Sequence, residues 1–449
     1  MSKKSIYILF VLFFLAAVVL IIVRFNAKQN KKENERYTLL ERRGISAQTT
    51  EWIHTKSQAY NYLNNLEKNP NDEKSNLGLA TLFIKEARIS GNYVYYDMAA
   101  MKYVNNVLKI DSNNFEANLY KAVLYLSQHH FAYGLAIAQK AQQINPYNAF
   151  VYGILVDGNV EMGYYDSAVA NSDRMVSVRP DLSSYSRISY LREIYGDYPG
   201  SIAAMKMAVD AGAPGEEATE WTRVQLGQLY ERTGDLKNAE MHYTIALDER
   251  PQYAYALAGL GRIAMSTKDY NKAIEYYLKA DSIVSDNSFK EELVDVYSLK
   301  GQNDKSQNAA KTVIDNLNKD ASKGNIDESI GHYADRELAY AYLKVNNYDK
   351  ALEHAMVEYN RRPENIDVNE TVAWVNYKKG DYTNALKYIA PALKTKCKNP
   401  VLLCRAGLIY YKAGNKQLAK TYLQDGLINN PNINYQLKDE SAKTLRSLL

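Results

Sequence analysis

The sequence predicts an all-α protein: a solenoid of stacked helical hairpins preceded by one transmembrane helix. Three observations predict it. Residues of like kind recur 34 positions apart, as Pro146 with Pro180 and Gly380 with Gly414, and Pro363 is answered by Pro431 two periods on, with Cys397 between. Self-similarity at that period marks units that cannot bury their apolar faces alone and therefore stack. Gly-Asp recurs before an Ala-rich helix, as Gly234-Asp235 before Ala239 and Gly380-Asp381 before Ala385. Finally, Ile6 to Val23 is an apolar run flanked by Lys3 and Lys4 on one side and Arg24 on the other.

After a tail at residues 1–5, the run at 6–23 reads as the membrane-spanning helix. Eighteen residues at about 1.5 Å each come to about 27 Å, near the hydrocarbon thickness of a bilayer. A cleaved signal has a shorter apolar core and small residues at its cleavage site. This run ends in Ile21-Ile22-Val23-Arg24-Phe25, and no Cys follows for lipid attachment. By count, Arg24, Lys28, Lys31, Lys32 and Arg36 place the following chain in the cytoplasm. Against that, two Lys directly before the run resemble the start of a secretory signal, and large domains are translocated despite nearby charge. The expectation adopted is a bacterial inner-membrane protein with a periplasmic solenoid.

Residues 24–45 are polar and read as a stalk. Residues 46–72 read as a capping helix, with Trp52, Ile53, Tyr60, Leu63 and Leu66 along it. The clearest hairpin is Glu220 to Pro251. Leu226, Gly227 and Tyr230 share one face of its first helix. Gly234-Asp235 reverses the chain. Ala239, Tyr243 and Ala246 stripe the second helix, and Pro251 closes the unit. This pattern resembles the tetratricopeptide repeat. Further copies show Leu260, Gly261, Ala273, Tyr277 and Ala280; Leu338, Tyr342 and Ala351; and Gly407, Tyr410 and Ala419. The resemblance implies a right-handed superhelix over about residues 73–431. Within it, 73–318 reads as a first block and 332–433 as a second, joined by a polar insertion at 319–331. Residues 434–449 read as the C-terminal capping helix. Gly91 to Tyr96 reads as an extra stretch between two helices, and the unit at Asn287–Asn318 as a degenerate copy forming a weak joint.

A net charge of +4 with 24% charged residues is too mild and too dispersed for a nucleic-acid binder. Two cysteines, Cys397 and Cys404, are too few for a disulfide framework, although their spacing allows one bridge. None of the six His pairs with another at helical spacing, and His129-His130 reads as a solvated turn. No phosphate loop or nucleophile elbow occurs. No catalytic, cofactor-binding or metal-binding residue is therefore expected, nor an enzymatic activity or small-molecule substrate.

The resemblance implies that the first helices line a concave groove. Phasing directs Tyr190, Trp221, Gln228, Tyr255, Arg262, Tyr333, Arg336, Tyr340, Trp374 and Tyr377 toward it. Aromatic residues with Arg are the composition of protein-binding anchors. The function expected is a membrane-anchored scaffold that binds a protein or peptide in the groove and helps organise an envelope complex. The alternative is a membrane-tethered chaperone or import receptor with many clients.

Overall fold

A computed structural model describes residues 12–21, 23–24, 36–324 and 331–449. The chain divides into two units, 1–40 and 41–449. In the first, residues 12–21 are helical. The remainder of the expected anchor, apart from residues 23–24, lies outside the described residues. Among the described residues no helix is long and apolar enough to cross a membrane.

In the second unit every described element is helical. A short turn at Gly44–Gln48 leads into the helix Thr50–Lys68. Ten hairpins follow: Glu73–Ser90 with Tyr93–Ile110, Phe115–Ser127 with Phe131–Ile144, Ala149–Met162 with Tyr165–Val178, Leu182–Ile194 with Tyr198–Asp210, and Glu217–Arg232 with Leu236–Glu249. The second five are Ala254–Ser266 with Tyr270–Ile283, Asn287–Leu299 with Asn303–Gly324, Asp335–Lys344 with Tyr348–Arg361, Ile366–Lys379 with Tyr382–Ala392, and Pro400–Lys412 with Lys416–Asn429. The helix Tyr435–Arg446 packs on the tenth hairpin.

The Gly-Asp pair divides its labour at the turns that carry it. Gly234 and Gly380 take φ of 78° and 84°, the left-handed region that ends the first helix without a Cβ clash. Asp235 and Asp381 then cap the second helix by accepting from the amides of Asn238 and Asn384. Between helices, small residues admit large ones. A Cβ on either Gly227 or Gly259 would lie within 2.6 Å of the fully buried Tyr243 ring. Gly261 stands in the same relation to Tyr277.

Two expectations are corrected here. Gly91–Tyr96 is not an insertion: Gly91 caps one helix at φ 74°, and Tyr93 begins the next. Within the 24–45 stretch expected to be stalk, Arg42 is buried and donates two hydrogen bonds to the buried Glu86. The degenerate unit at 287–318 still forms a hairpin, with Phe289, Leu293, Val313 and Leu317 buried. Its second helix runs into the polar segment as far as Gly324.

The hairpins wind into coils that touch. The turn inside each of the first four hairpins meets the segment entering the hairpin six places later. Ser285 N–H donates to Ser90 O at 3.0 Å, and Tyr333 N–H to Gln128 O at 3.0 Å. The Asn365 amide donates to the carbonyls of Val160 and Glu161 at 3.2 and 3.0 Å. The Cys397 thiol faces Glu193 O at 3.6 Å. Asn430, entering the C-terminal helix, donates to Glu231 O at 2.7 Å. Each pair lies close to 200 residues apart, so one coil takes six hairpins.

Candidate functional site

The first helices of successive hairpins form an inner wall crossed by a ladder of polar contacts. Arg187 donates to Asp157 at 2.9 and 2.6 Å, and Arg262 to Glu231 at 3.0 Å. Arg336 donates to Thr371 at 3.3 Å. Tyr340 donates to Glu370 at 2.7 Å and accepts from Arg405 at 3.0 Å. Most rungs join a residue to one 30 to 35 positions away, one hairpin along, whereas Arg405 reaches back two hairpins to Tyr340.

Placement of the expected groove residues divides them. Tyr190 is 41% exposed, yet burial by surrounding protein, and then Asp367 and Glu161, push its phenol well above the usual range. Trp221 packs edge-on to Tyr255 at 4.9 Å, with the Arg88 guanidinium 5.6 Å from its ring. Tyr333 is held by His130, stacked at 3.7 Å, and by Arg361 at 3.8 Å. Trp374 and Tyr377 are corrected to core residues: they are 8% and 7% exposed and stack on one another at 4.9 Å. Tyr377 donates its hydroxyl to Glu440 of the C-terminal helix at 2.6 Å, and the Arg405 guanidinium lies 4.8 Å from the Trp374 ring.

Gln228 and Arg262 line a cavity of about 560 Å³ between the fifth to seventh hairpins and the last part of the chain. Glu292, Asp295, Tyr270, Asn434, Tyr435 and Lys438 also line it. Burial raises the Glu292 carboxyl, with Arg262 acting against the shift. Groups of both charges therefore face one partly desolvated space. A hollow of similar volume beside Glu73, Thr81, Glu116 and Tyr120 joins only the first two hairpins.

Sequence reasoning missed the residues that join coils. His129-His130 is not a solvated turn. His130 is 2% exposed, and its Nε2 meets Gly331 O. His129 Nδ1 lies 3.1 Å from Tyr333 O. Two features mark this turn in the sequence: consecutive His residues, and the lack of the Gly found at most other turns. Cys397 and Cys404 are free thiols, both buried.

Residues 224–288 match a family model described as a tetratricopeptide repeat. No curated protein matches the chain. Among solved structures, a tetratricopeptide repeat protein of Thermus thermophilus is 20% identical, with a TM-score of 0.37, over 43% of this chain and 97% of that one. Another from Parabacteroides merdae is 17% identical, with a TM-score of 0.34, over 59% and 98%. Human IFIT1, solved as a dimer with PPP-AAAA, is 13% identical, with a TM-score of 0.45, over 77% and 89%. The match to the tetratricopeptide repeat model thus covers residues 224–288, within an array whose described elements are helical hairpins.

Proposed function

We propose that the chain is a scaffold that holds a polypeptide segment of a partner against its inner wall. The observation that supports this reading is the cavity of about 560 Å³, with Arg262 and Lys438 facing Glu292 and Asp295. An extended peptide offers backbone N–H and C=O groups to such side chains, and Tyr270 and Tyr435 add aromatic area. Of the groove residues, Tyr190, Trp221, Gln228, Tyr255, Arg262, Arg336 and Tyr340 remain in this role, while Tyr333 stacks on His130 between coils.

The apolar run at 6–23 would anchor the scaffold in a bacterial inner membrane, with the hairpins on the periplasmic side. Anchoring raises the concentration of a partner near the bilayer, which suits organisation of an envelope complex.

The test is photocrosslinking in native membranes from a probe at Gln228, with the exposed Tyr147, in the loop between the second and third hairpins, as control. A few polypeptides captured from Gln228 and not from Tyr147 support the scaffold. Equal capture from both positions overturns inner-wall binding. A broad client list from Gln228 favours the tethered receptor instead.

A further inference from the structure

We infer that His129, His332 and Glu337 form a binding site for a divalent transition ion of the zinc class, clipping one coil of the array to the next. His129 lies in the turn of the second hairpin, and His332 and Glu337 enter the eighth. His129 Nδ1 is 3.4 Å from Glu337 Oε1, and His332 Nε2 is 3.6 Å from the same oxygen. The three potential ligand atoms all lie within 4.8 Å of one another. A tetrahedral ion with bonds of about 2.0–2.1 Å holds its ligands about 3.3 Å apart. Both separations are close to that edge, so an ion fits with small movements of the rings.

Donor chemistry agrees with the spacing. Two imidazoles and one carboxylate are a borderline-soft set suited to zinc, cobalt or nickel, and poorly suited to calcium or magnesium. A fourth position is open to water or to the Tyr333 carbonyl, 3.1 Å from His129 Nδ1.

Two independent features support the assignment. Glu337 Oε2 is buried and has no hydrogen-bond partner. The ligands are also pre-positioned. His130 stacks on Tyr333, Arg361 covers the opposite side of that ring, and the Tyr333 amide donates to Gln128 O. These contacts fix the segment carrying His332 against the turn carrying His129, as the surroundings of a metal centre do.

The experiment is titration of the full chain with zinc and with cobalt, read by calorimetry and by the cobalt visible spectrum. Expected are one ion per chain at micromolar affinity or better, a tetrahedral cobalt spectrum and a raised Tm in zinc. His332→Ala and the isosteric Glu337→Gln should each weaken binding by more than about tenfold. X-ray absorption on the zinc-loaded wild-type chain gives a readout independent of how variants fold. Two imidazole ligands support the site. No zinc binding at millimolar ion, affinity unchanged in both variants, or fewer than two imidazoles at the bound zinc overturns it. In those cases the cluster is only a His–Glu–His ion pair.

Discussion

The backbone N–H of Ile366 donates to the hydroxyl oxygen of Tyr165, 2.9 Å away and 201 residues earlier. Both residues are buried, and the Arg362 guanidinium reaches Glu161 beside them. A helix start in one coil is thus satisfied by a side chain of the coil before it. Tyr165→Phe should leave that buried amide without an acceptor and cost about 1–3 kcal/mol. Urea unfolding measures the loss, and hydrogen exchange at Ile366 should accelerate before global unfolding does. An unchanged exchange rate would show that the bond contributes nothing to holding the coils together.

Gly227 and Gly414 should respond differently to Ala. At Gly227 the new methyl meets the Tyr243 ring at 2.5 Å, an overpacking cost of about 1–3 kcal/mol. At Gly414 nothing lies within 4 Å, but φ is 86°, and an L residue there costs about 1–2 kcal/mol of backbone strain. The two mechanisms separate in a rescue. Tyr243→Leu should recover part of the stability of Gly227→Ala and none of that of Gly414→Ala. Equal recovery would refute the packing account.

His242 makes stability depend on pH. It is 9% exposed, stacked on Tyr230 at 5.5 Å, and its Nδ1 has no partner. Burial, then Arg223 and Lys206, lower it from 6.5 to about 4. The unfolded chain takes up the proton first, so stability is lost as pH falls from about 6.5 toward 4. The loss approaches about 3 kcal/mol at the lower end. His242→Phe should reduce the slope of the profile in that window, leaving the share of His129, which burial also lowers to about 4, and leave stability at pH 8 little changed. A wild-type profile unaltered by the substitution would exclude this assignment.

Trp374→Ala should destabilise the fold by about 3–5 kcal/mol, because the ring packs in the core of the last hairpins. Its Tm will fall whether or not a partner is present. Gln228→Ala, on the cavity wall, should lower partner capture with Tm within about 1 °C of wild type. Circular dichroism melts alongside crosslinking yield distinguish the two.

The hairpins were legible because their rules are local. Gly234-Asp235 announces a left-handed residue followed by a cap, and Ala239 with Ala246 announces close helix contact. Gly91 carries the same signal, but Asn92 and the tyrosines after it obscured the helix they begin. Burial of Tyr377 was not legible, since the helix whose Glu440 it meets lies 63 residues on and its contact depends on how the last hairpin turns. The same holds for His129 and its partners about 200 residues away. Six hairpins per coil is the sum of many small rotations between neighbours, and no single residue encodes it.

Coils that touch every sixth hairpin change how the array answers a pull. In an open solenoid each unit holds only its neighbours, and extension proceeds gradually. Here lengthening requires the lateral bonds at Ser90, Glu161, Glu193 and Glu231 to break first. Such a body should answer a pull as a close-wound spring whose turns are bonded together: stiff up to a threshold tension, then abruptly compliant.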